Sequence, residues 1–373
     1  MNNFEELGIS SGFIKGLTEL HIIEPTDIQK KVIPMLLAGV TDLVAQAQTG
    51  TGKTAAYGLP LLQQMNSKSD AVQGLILCPT RELAKQVAKQ LFKFTKYSDK
   101  IFTEAVYGGE YIEKQIKSLR RPTQIIVATP GRLIDLVKRK AIDLSTIRTV
   151  ILDEADEMLS LGFKKELDEI LSFLPAIDCK WLFSATLPQG IQDIITKHLK
   201  ADAKRIEVSK HSVVNQNITH LYVKCDDSDK FYLLLQFLKS QYKNRGVIFC
   251  RTKAATKELT KQLIGKNIAT DAIHGDLYQN ERDKVMRAFK KKTLQILVAT
   301  DVAARGIDIS DLSFVAHYQL PESHEYYTHR SGRTARAGKE GISMCFANAN
   351  EFKTLMNYEQ TLGIKFRQIK TNR

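Results

Sequence analysis

Long apolar runs are absent from this sequence. Its 373 residues contain no stretch of 18 or more uncharged apolar residues, whereas a helix needs about 20 apolar residues to cross a bilayer. The opening segment MNNFEELGIS also lacks the basic region and following apolar region of a secretory signal. We therefore expect no membrane contact and a soluble, cytoplasmic protein.

Closely spaced cysteines are also missing. The five cysteines are scattered along the chain, at Cys78, Cys179, Cys225, Cys250 and Cys345. This spacing is unlike that of zinc sites or disulfide frameworks, which predicts reduced thiols in the core.

Acidic residues are fewer than basic ones. The chain has 54 Lys and Arg against 41 Asp and Glu, a formal net charge of +13. Clustered basic side chains gain affinity for phosphates through counterion release, so this balance favours a polyanionic partner. Charge alone does not identify that partner, because many basic proteins bind no nucleic acid.

Short runs rich in Val, Ile and Leu recur between longer amphipathic or charged stretches. Continuous apolar strands that alternate with helices predict a parallel sheet with both faces covered. The first series of predicted strands is 42–47, 74–78, 124–128, 149–153 and 181–184. The second series is 218–223, 246–250, 270–273, 295–299, 314–318 and 342–346. The length and the 43% hydrophobic content are sufficient for two α/β domains.

The boundary between the two domains is predicted at 208–216, VSKHSVVNQ, a polar stretch without helical periodicity. The predicted domains are therefore 1–207 and 217–373. After residue 346 we expect one helix and a short basic tail.

The segment AQTGTGKT, residues 47–54, follows a predicted strand and leads into a predicted helix. Gly50 and Gly52 allow backbone N–H groups to close around phosphates, Lys53 supplies a positive charge, and the Thr54 hydroxyl can bind Mg²⁺. Ala47 stands where the general phosphate-loop pattern has Gly. The alternative is a structural turn, which the flanking strand and helix disfavour.

Three carboxylates follow the predicted strand 149–153. Asp153, Glu154 and Asp156 should emerge at the carboxyl edge of the sheet, where α/β folds bind ligands. Asp153 can hold Mg²⁺ through water, and Glu154 can orient or deprotonate an attacking water. A solvated helix start is the alternative, because acidic residues favour helix amino termini.

The segment HRSGRTARAG, residues 329–338, concentrates arginines in the second domain. The segment contains Arg330, Arg333 and Arg336, and spacing by three predicts that Arg333 and Arg336 lie on one side of a helical turn. Two arginines that reach a γ-phosphate from another domain can stabilise transition-state charge. A basic surface helix is the alternative.

Taken in order, these segments resemble the DEAD-box RNA helicases of helicase superfamily 2. In the first half they are EPTDIQ (24–29), AQTGTGKT (47–54), PTRELA (79–84), GG (108–109), TPGR (129–132), DEAD (153–156) and SAT (184–186). In the second half they are VIFCRT (247–252), HGDLYQNER (274–282), ATDVAARGID (299–308) and HRSGRTARAG (329–338). The resemblance covers nearly the whole chain and implies two RecA-like lobes.

The same resemblance implies an ATP site shared by both lobes. Gln29 would read the adenine edge with help from Thr26, Phe4 would stack on the base, and Asp308 would bind the ribose. An amide matches the donor and acceptor of adenine, which favours ATP over GTP. The alternative for Phe4 is a residue that packs the first helix. The phosphate loop would contribute Ala47, Gln48, Thr49, Gly50, Thr51, Gly52, Lys53 and Thr54, and the catalytic set would be Lys53, Asp153, Glu154, Arg333 and Arg336.

For RNA, the resemblance implies contacts chiefly with the backbone. The first lobe would use Pro79, Thr80, Arg81, Gly109, Thr129 and Arg132, and the second Arg251, Gly275, Gln279 and Thr300. Such contacts do not read bases, whereas 2′-OH contacts separate RNA from DNA. Coupling between ATP and RNA is assigned to Ser184, Thr186, Asp156, His329 and Arg330.

Several positions depart from the family pattern, including Ser331, Ala335 and Gln319, which stands where Asp is usual. A neutral amide cannot form the ion pair of an Asp, so an inter-lobe contact is in question. The expected cofactors are ATP and Mg²⁺, and the expected state is a monomer that protein partners can target. The rival functions are an ATP-gated RNA clamp or assembly scaffold with little unwinding, and a DNA translocase.

Overall fold

The computed structural model describes residues 3–39, 42–48, 50–174, 177–208, 217–304, 312–335 and 339–369. The chain divides into two compact units, Met1–Val208 and Ser209–Arg373. Each unit is a seven-stranded sheet flanked by helices. The predicted α/β class is therefore confirmed. Residues 209–216 of the predicted linker lie outside the described residues.

The first unit begins with helices and then alternates strands with helices. Its helices are α1 (Asn3–Glu6), α2 (Ser11–Glu19), α3 (Asp27–Leu37), α4 (Lys53–Gln64), α5 (Arg81–Phe94), α6 (Ile112–Ser118), α7 (Pro130–Lys138), α8 (Ala155–Ser160), α9 (Lys164–Ser172) and α10 (Gln189–His198), with a 3-10 turn at Thr95–Tyr97. Its strands are β1 (Asp42–Gln46), β2 (Gly74–Leu77), β3 (Thr103–Val106), β4 (Ile125–Ala128), β5 (Thr149–Asp153), β6 (Cys179–Ser184) and β7 (Lys204–Glu207).

The second unit repeats this alternation. Its strands are β8 (Ile218–Lys224), β9 (Gly246–Cys250), β10 (Thr270–Ile273), β11 (Ile296–Thr300), β12 (Phe314–His317), β13 (Gly341–Ala347) and β14 (Arg367–Gln368). Its helices are α11 (Lys230–Gln241), α12 (Lys253–Ile264), α13 (Gln279–Lys290), α14 (Asp301–Ala304), α15 (His324–Ser331) and α16 (Ala349–Leu362). The helix predicted after residue 346 is thus present as α16.

Strand order is the same in both sheets. The first sheet runs β3-β4-β2-β5-β6-β1-β7 and the second β10-β11-β9-β12-β13-β8-β14. All strand pairs are parallel across the described strands. Because the strands are parallel, every loop that follows a strand meets the others at one carboxyl edge of its sheet.

The central strands are buried on both faces. In β1, Leu43 and Ala45 belong to one core cluster and Val44 to another. In β9 of the second unit, Ile248 and Val247 likewise face different clusters. Because both faces are covered, these strands read as continuous apolar runs rather than as alternating ones. Within the described ranges, no helix is both long and apolar enough to span a bilayer.

Candidate nucleotide and RNA sites

The phosphate-loop segment links β1 to the start of α4. Gly50 and Gly52 have φ of +87° and +91°, a left-handed conformation that residues other than Gly rarely adopt. Lys53 is the first residue of α4 and is only 6% exposed. Its Nζ donates to the Ala47 carbonyl oxygen at 3.0 Å, so the ammonium group lies across the loop. This arrangement suits the binding of a phosphate group. Thr49, in the same loop, lies outside the described residues.

The adenine-motif residues are hydrogen bonded to the phosphate loop. The Gln29 Oε1 accepts from the Thr26 backbone N–H at 2.9 Å, and its Nε2 donates to the Gly52 carbonyl at 3.0 Å. The Thr26 hydroxyl donates to the Thr51 carbonyl at 2.7 Å. A Cβ at Gly52 would lie 2.4 Å from the Gln29 Nε2. Glycine at this position is therefore required by the adenine motif as well as by its own φ.

Phe4 lies in α1 with its side chain fully buried. It belongs to the core cluster that also contains Ile9 and Phe13. This placement corresponds to the packing alternative considered from the sequence. Stacking of Phe4 on a base stays a prediction.

Asp153 ends β5 and is 2% exposed. Its Oδ2 accepts from the Tyr57 hydroxyl at 2.7 Å, whereas its Oδ1 is buried without a hydrogen-bond partner in the described part of the chain. Burial raises the pKa of Asp153 to about 6, against the opposing effect of the Lys53 charge, and Glu154 adds to the rise. A buried carboxylate oxygen without a partner is a suitable Mg²⁺ ligand. Tyr57 was missed by sequence reasoning, although it lies four residues beyond Lys53 and so on the same helix face.

We predict that Asp153 contributes less to folding stability as pH rises, whereas a salt-bridged carboxylate contributes more. Its folded pKa lies above the unfolded value near 3.9, so its contribution to stability falls as pH rises from about 4 to about 6. The stability difference between Asp153→Asn and the wild type should therefore grow across this range and then level off. Denaturant unfolding of nucleotide-free protein, followed by fluorescence of the single tryptophan Trp181, measures it. A difference that stays constant with pH would contradict the assignment.

Asp156 is hydrogen bonded to the SAT segment at the end of β6. Its Oδ2 accepts from both the backbone N–H and the hydroxyl of Thr186 at 2.8 Å. The Asp156 backbone N–H donates to the Ser184 Oγ at 3.1 Å, and that hydroxyl donates to the Thr186 carbonyl at 2.7 Å. The three residues Ser184, Thr186 and Asp156, which were assigned to coupling, are thus joined by hydrogen bonds. It joins the loops that follow two adjacent strands, β5 and β6.

Glu154 lies between the two carboxylates in a left-handed conformation, with φ of +52°. It is the residue that precedes α8. A non-glycine residue in this region has a conformational cost, and such residues concentrate at functional sites.

The residues predicted to bind RNA in the first lobe follow three adjacent strands. Pro79, Thr80 and Arg81 come after β2, Gly109 after β3, and Thr129 and Arg132 after β4. The phosphate loop follows β1, the carboxylates Asp153 and Glu154 lie at the end of β5, and the coupling segment lies at the end of β6, on the other half of the same carboxyl edge. The residues predicted to bind nucleotide and those predicted to bind RNA therefore lie on different halves of one edge.

Two arginines in the RNA half are held by defined contacts. The Arg132 guanidinium donates to the Gln115 Oε1 at 2.9 Å and to the Glu110 carbonyl at 3.0 Å. Arg81 approaches Gly109 so closely that a Cβ there would lie 2.0 Å from its NH1. Gln115 was not identified from the sequence, and only the fold places it beside Arg132.

In the second lobe, the predicted RNA residues also follow three adjacent strands. Gly275 and Gln279 come after β10, Thr300 ends β11, and Arg251 follows β9. The Arg251 backbone N–H donates to the Gln319 Oε1 at 2.8 Å. The unusual amide of Gln319 thus has a partner within its own lobe.

Arg330 is 2% exposed and lies in a buried polar network. Its guanidinium donates to both carboxylate oxygens of Asp301, at 2.5 and 2.6 Å, and to the Gln319 carbonyl at 2.8 Å. Behind it, Ser343 contacts His317 at 3.0 Å and Ser331 at 2.9 Å. Burial lowers the pKa of His317 well below its usual range, and the Arg330 charge lowers it further. Sequence reasoning identified Arg330 but not these partners, which come from distant segments.

One geometric prediction for the arginines was wrong. α15 ends at Ser331, and Arg333 lies in the turn that follows, where its backbone N–H donates to the Arg330 carbonyl at 3.0 Å. Arg333 therefore lies outside α15, because Gly332 ends the helix. His329 is in α15. Arg336 and the predicted ribose ligand Asp308 lie outside the described residues.

Comparison with known proteins agrees with the motif order. Residues 26–194 match the family model for the DEAD/DEAH box helicase, and residues 229–338 match the helicase conserved C-terminal domain. The chain is 42% identical over 361 residues to the DEAD-box ATP-dependent RNA helicase CshA of Bacillus cereus, covering 97% of this chain and 68% of that protein. It is 41% identical to CshA of Geobacillus kaustophilus, covering 99% of this chain and 79% of that protein.

A solved structure of S. cerevisiae Dbp5 bound to RNA and ADP BeF3 is 31% identical, with a TM-score of 0.91 over 99% of this chain and 96% of that one. The two α/β units are therefore RecA-like lobes, as the resemblance implied. With both family models matched and its relatives covered along most of their length, the chain belongs to the DEAD-box ATP-dependent RNA helicases.

Proposed function

We propose that this chain is an RNA-dependent ATPase that uses ATP to part short RNA duplexes or remodel RNA–protein complexes. The observation that supports the proposal is that the residues predicted to bind nucleotide and those predicted to bind RNA follow different strands along one carboxyl edge. Where the halves meet, β2 pairs with β5, the strand that ends at Asp153. Asp153 therefore lies on the strand next to β2, whose following loop is proposed to bind RNA.

In the nucleotide half, the chain's own residues bind phosphate and orient water. Lys53 and the loop N–H groups hold the β- and γ-phosphates, and Glu154 takes the proton of the attacking water. Asp153 and Thr54 would hold Mg²⁺ together with phosphate oxygens. When bound, that ion neutralises charge that develops on the transferred phosphoryl group. Gln29 and Thr26 select adenine from their position against the loop.

The second lobe supplies the remaining roles in this proposal. Arg333 and Arg336 stabilise transition-state charge, and Asp308 binds the ribose. ATP and RNA then both favour the same conformation of the protein, so each raises the affinity for the other. The buried pair of Arg330 with Asp301 holds the segment that carries Arg333.

RNA contacts are proposed to be made mainly to the backbone, which predicts little sequence specificity. The residues are those grouped after β2, β3 and β4 in the first lobe and after β9, β10 and β11 in the second. Contacts to the 2′-OH would exclude DNA. A cytoplasmic monomer that is targeted by partners stays part of the proposal.

ATPase rates measured with RNA, with DNA and without nucleic acid test the function. We expect RNA, but not DNA, to stimulate hydrolysis. Equal stimulation by DNA and RNA would point to a DNA translocase instead. A strand-displacement assay beside an RNA-dissociation assay separates the helicase from the clamp, because a clamp retains RNA without separating a short duplex.

We predict that Thr186→Val uncouples ATP hydrolysis from duplex separation. The change preserves the shape of the side chain but removes the hydroxyl that donates to Asp156 at 2.8 Å, while the backbone N–H bond to the same oxygen can persist. Duplex separation per ATP hydrolysed should fall about tenfold, from the loss of roughly 1.5 kcal/mol for one bond to a charged group. Thr146→Val, which removes a hydroxyl bonded to the Val72 carbonyl in the same lobe, is the control. Parallel loss of ATPase and unwinding would show that Thr186 serves hydrolysis instead.

A further inference from the structure

The amino-terminal edge of the second sheet carries a strongly basic surface. It is formed by three segments, 239–246, 261–269 and 287–295, which together contain nine Lys or Arg and no Asp or Glu. They precede β9, β10 and β11, which are neighbours in the sheet order β10-β11-β9. We call these three segments the amino-edge surface.

Hydrogen bonds show that the three segments are contiguous. The Gln295 backbone N–H donates to the Ala269 carbonyl at 2.8 Å, and the Gln295 Nε2 donates to the Asn244 carbonyl at 3.1 Å. Arg245 donates to the Phe289 carbonyl and stacks over the Phe289 ring, with 4.2 Å from its Cζ to the ring centroid. The basic charge of three separate segments is thus collected on one surface.

Tight turns fix the backbone that carries the lysines. After α12, the Ile268 backbone N–H donates to the Leu263 carbonyl at 3.1 Å, and after α13 the Thr293 backbone N–H donates to the Ala288 carbonyl at 3.1 Å. These six-residue closures are the hydrogen bonds of a helix that ends in a left-handed residue. That residue is Asn267 in the first turn and Lys292 in the second, with φ of +59° and +63°. The left-handed position is not a glycine in either turn.

The surface offers charge and an aromatic ring to a partner. Lys243, Lys266 and Lys291, one from each segment, are exposed, and none of the three has an ion pair within the described ranges. Tyr242 is 74% exposed, and the Lys243 Nζ lies 5.3 Å from the centroid of its ring. Lysines with an exposed aromatic ring are typical of surfaces that bind nucleic-acid backbone and stack on an unpaired base.

From this arrangement we infer that the amino-edge surface is a second RNA-binding site, which holds RNA that extends beyond the site at the carboxyl edge. The inference rests on the proposed function, because RNA is taken as the substrate. The two sites lie at opposite ends of the same three strands, which are four or five residues long and so separate the edges by about 15 Å. A longer RNA reaches both sites, whereas a short one occupies the carboxyl edge alone.

The test compares RNA affinity for two lengths of single-stranded RNA. The short RNA is the shortest oligomer that stimulates ATP hydrolysis by the wild type, and the long RNA is several times that length. We expect Lys243→Gln/Lys266→Gln/Lys291→Gln to bind the short RNA as the wild type does and to lose the gain in affinity on the long RNA. The slope of log K against log salt for the long RNA should fall by about two, since each lost phosphate contact on a single strand removes about 0.7.

A matched control removes the same charge from the first lobe. Lys138→Gln/Arg139→Gln/Lys164→Gln alters three exposed basic residues that are each paired with a carboxylate. This control should keep the long-RNA gain and the salt slope. All substitutions are at exposed positions, and a thermal melt shows that each variant is folded.

Two results would overturn the inference. In the first, the Lys243→Gln/Lys266→Gln/Lys291→Gln variant retains the wild-type gain and slope on the long RNA. In the second, polyglutamate competes for the wild-type amino-edge surface as well as unlabelled RNA of equal charge does, which would assign the surface to an acidic protein. Failure of any RNA to stimulate wild-type ATPase would instead contradict the proposed function, so the two failures are distinguishable.

Discussion

Glu154→Gln is expected to lower kcat for RNA-stimulated ATP hydrolysis by about 10²–10⁴-fold, the usual contribution of a positioned general base. Nucleotide and RNA affinities should remain near those of the wild type, because the neighbouring Lys53 and Asp153 are unchanged. The amide has the shape of the carboxylate and can hold water, but it cannot accept the proton. Steady-state ATPase kinetics together with nucleotide and RNA titrations measure the separation of kcat from binding.

The conformation of Glu154 makes this substitution informative. Its φ of +52° is strained for any side chain, and Gln has the same backbone preferences as Glu, so the strain does not change. A loss of activity therefore reports chemistry rather than misfolding. Glu166→Gln, in the first turn of α9 on the same lobe, is the control and should leave kcat unchanged. An active Glu154→Gln enzyme would remove Glu154 from the mechanism.

We expect Asp301→Ala to destabilise the second lobe by about 3–5 kcal/mol, the usual result of leaving a buried charge without its ion-pair partner. Arg330 would keep its charge at a position that is only 2% exposed and would lose both hydrogen bonds to the carboxylate. The nearby His317 cannot replace the lost negative charge, because an imidazole is either neutral or positively charged, and its lowered pKa keeps it neutral.

The single tryptophan allows the two lobes to be followed separately. Trp181 is fully buried in the first lobe, so its fluorescence reports unfolding of that lobe, whereas circular dichroism reports both. The part of the dichroism transition that fluorescence does not follow reports unfolding of the second lobe. We expect Asp301→Ala to lower the midpoint of that part. Asp276→Ala is the control, since Asp276 pairs with Lys253 and Lys257 at the surface, where ion pairs contribute little. Equal shifts for both variants would show that burial of the Arg330 pair is not decisive.

Central strands were predicted well because they are buried on both faces. The runs 149–153 and 246–250 coincide with β5 and β9. The edge strand β10 was also predicted, at 270–273, and three of its four residues are buried. The strands that were missed are β3, β7 and β14, all of which carry polar residues or are very short. An edge strand has one neighbour and more solvent, so it need not be apolar, and its sequence lacks the signal that identified the others.

The candidate site divides in a similar way. The phosphate loop and the carboxylates were recognisable because each motif is local, with its residue types fixed by backbone geometry and charge. The contacts of those motifs join distant segments, such as the hydrogen bond from Gln29 to Gly52 or that from Arg132 to Gln115. The helical placement of Arg333 failed for a local reason, the end of α15 before Gly332.

By itself, the sequence determined the α/β class, the doubled pattern of strands, the family and the order of its motifs, because these depend on local chemistry and on apolar runs. Only the tertiary structure decided that the residues predicted to bind nucleotide and those predicted to bind RNA occupy two halves of one sheet edge. It also decided that basic residues from three separate segments form one surface at the opposite edge. Parallel strands bring distant loops together according to strand order, and strand order is set by packing across the whole lobe rather than by any one segment.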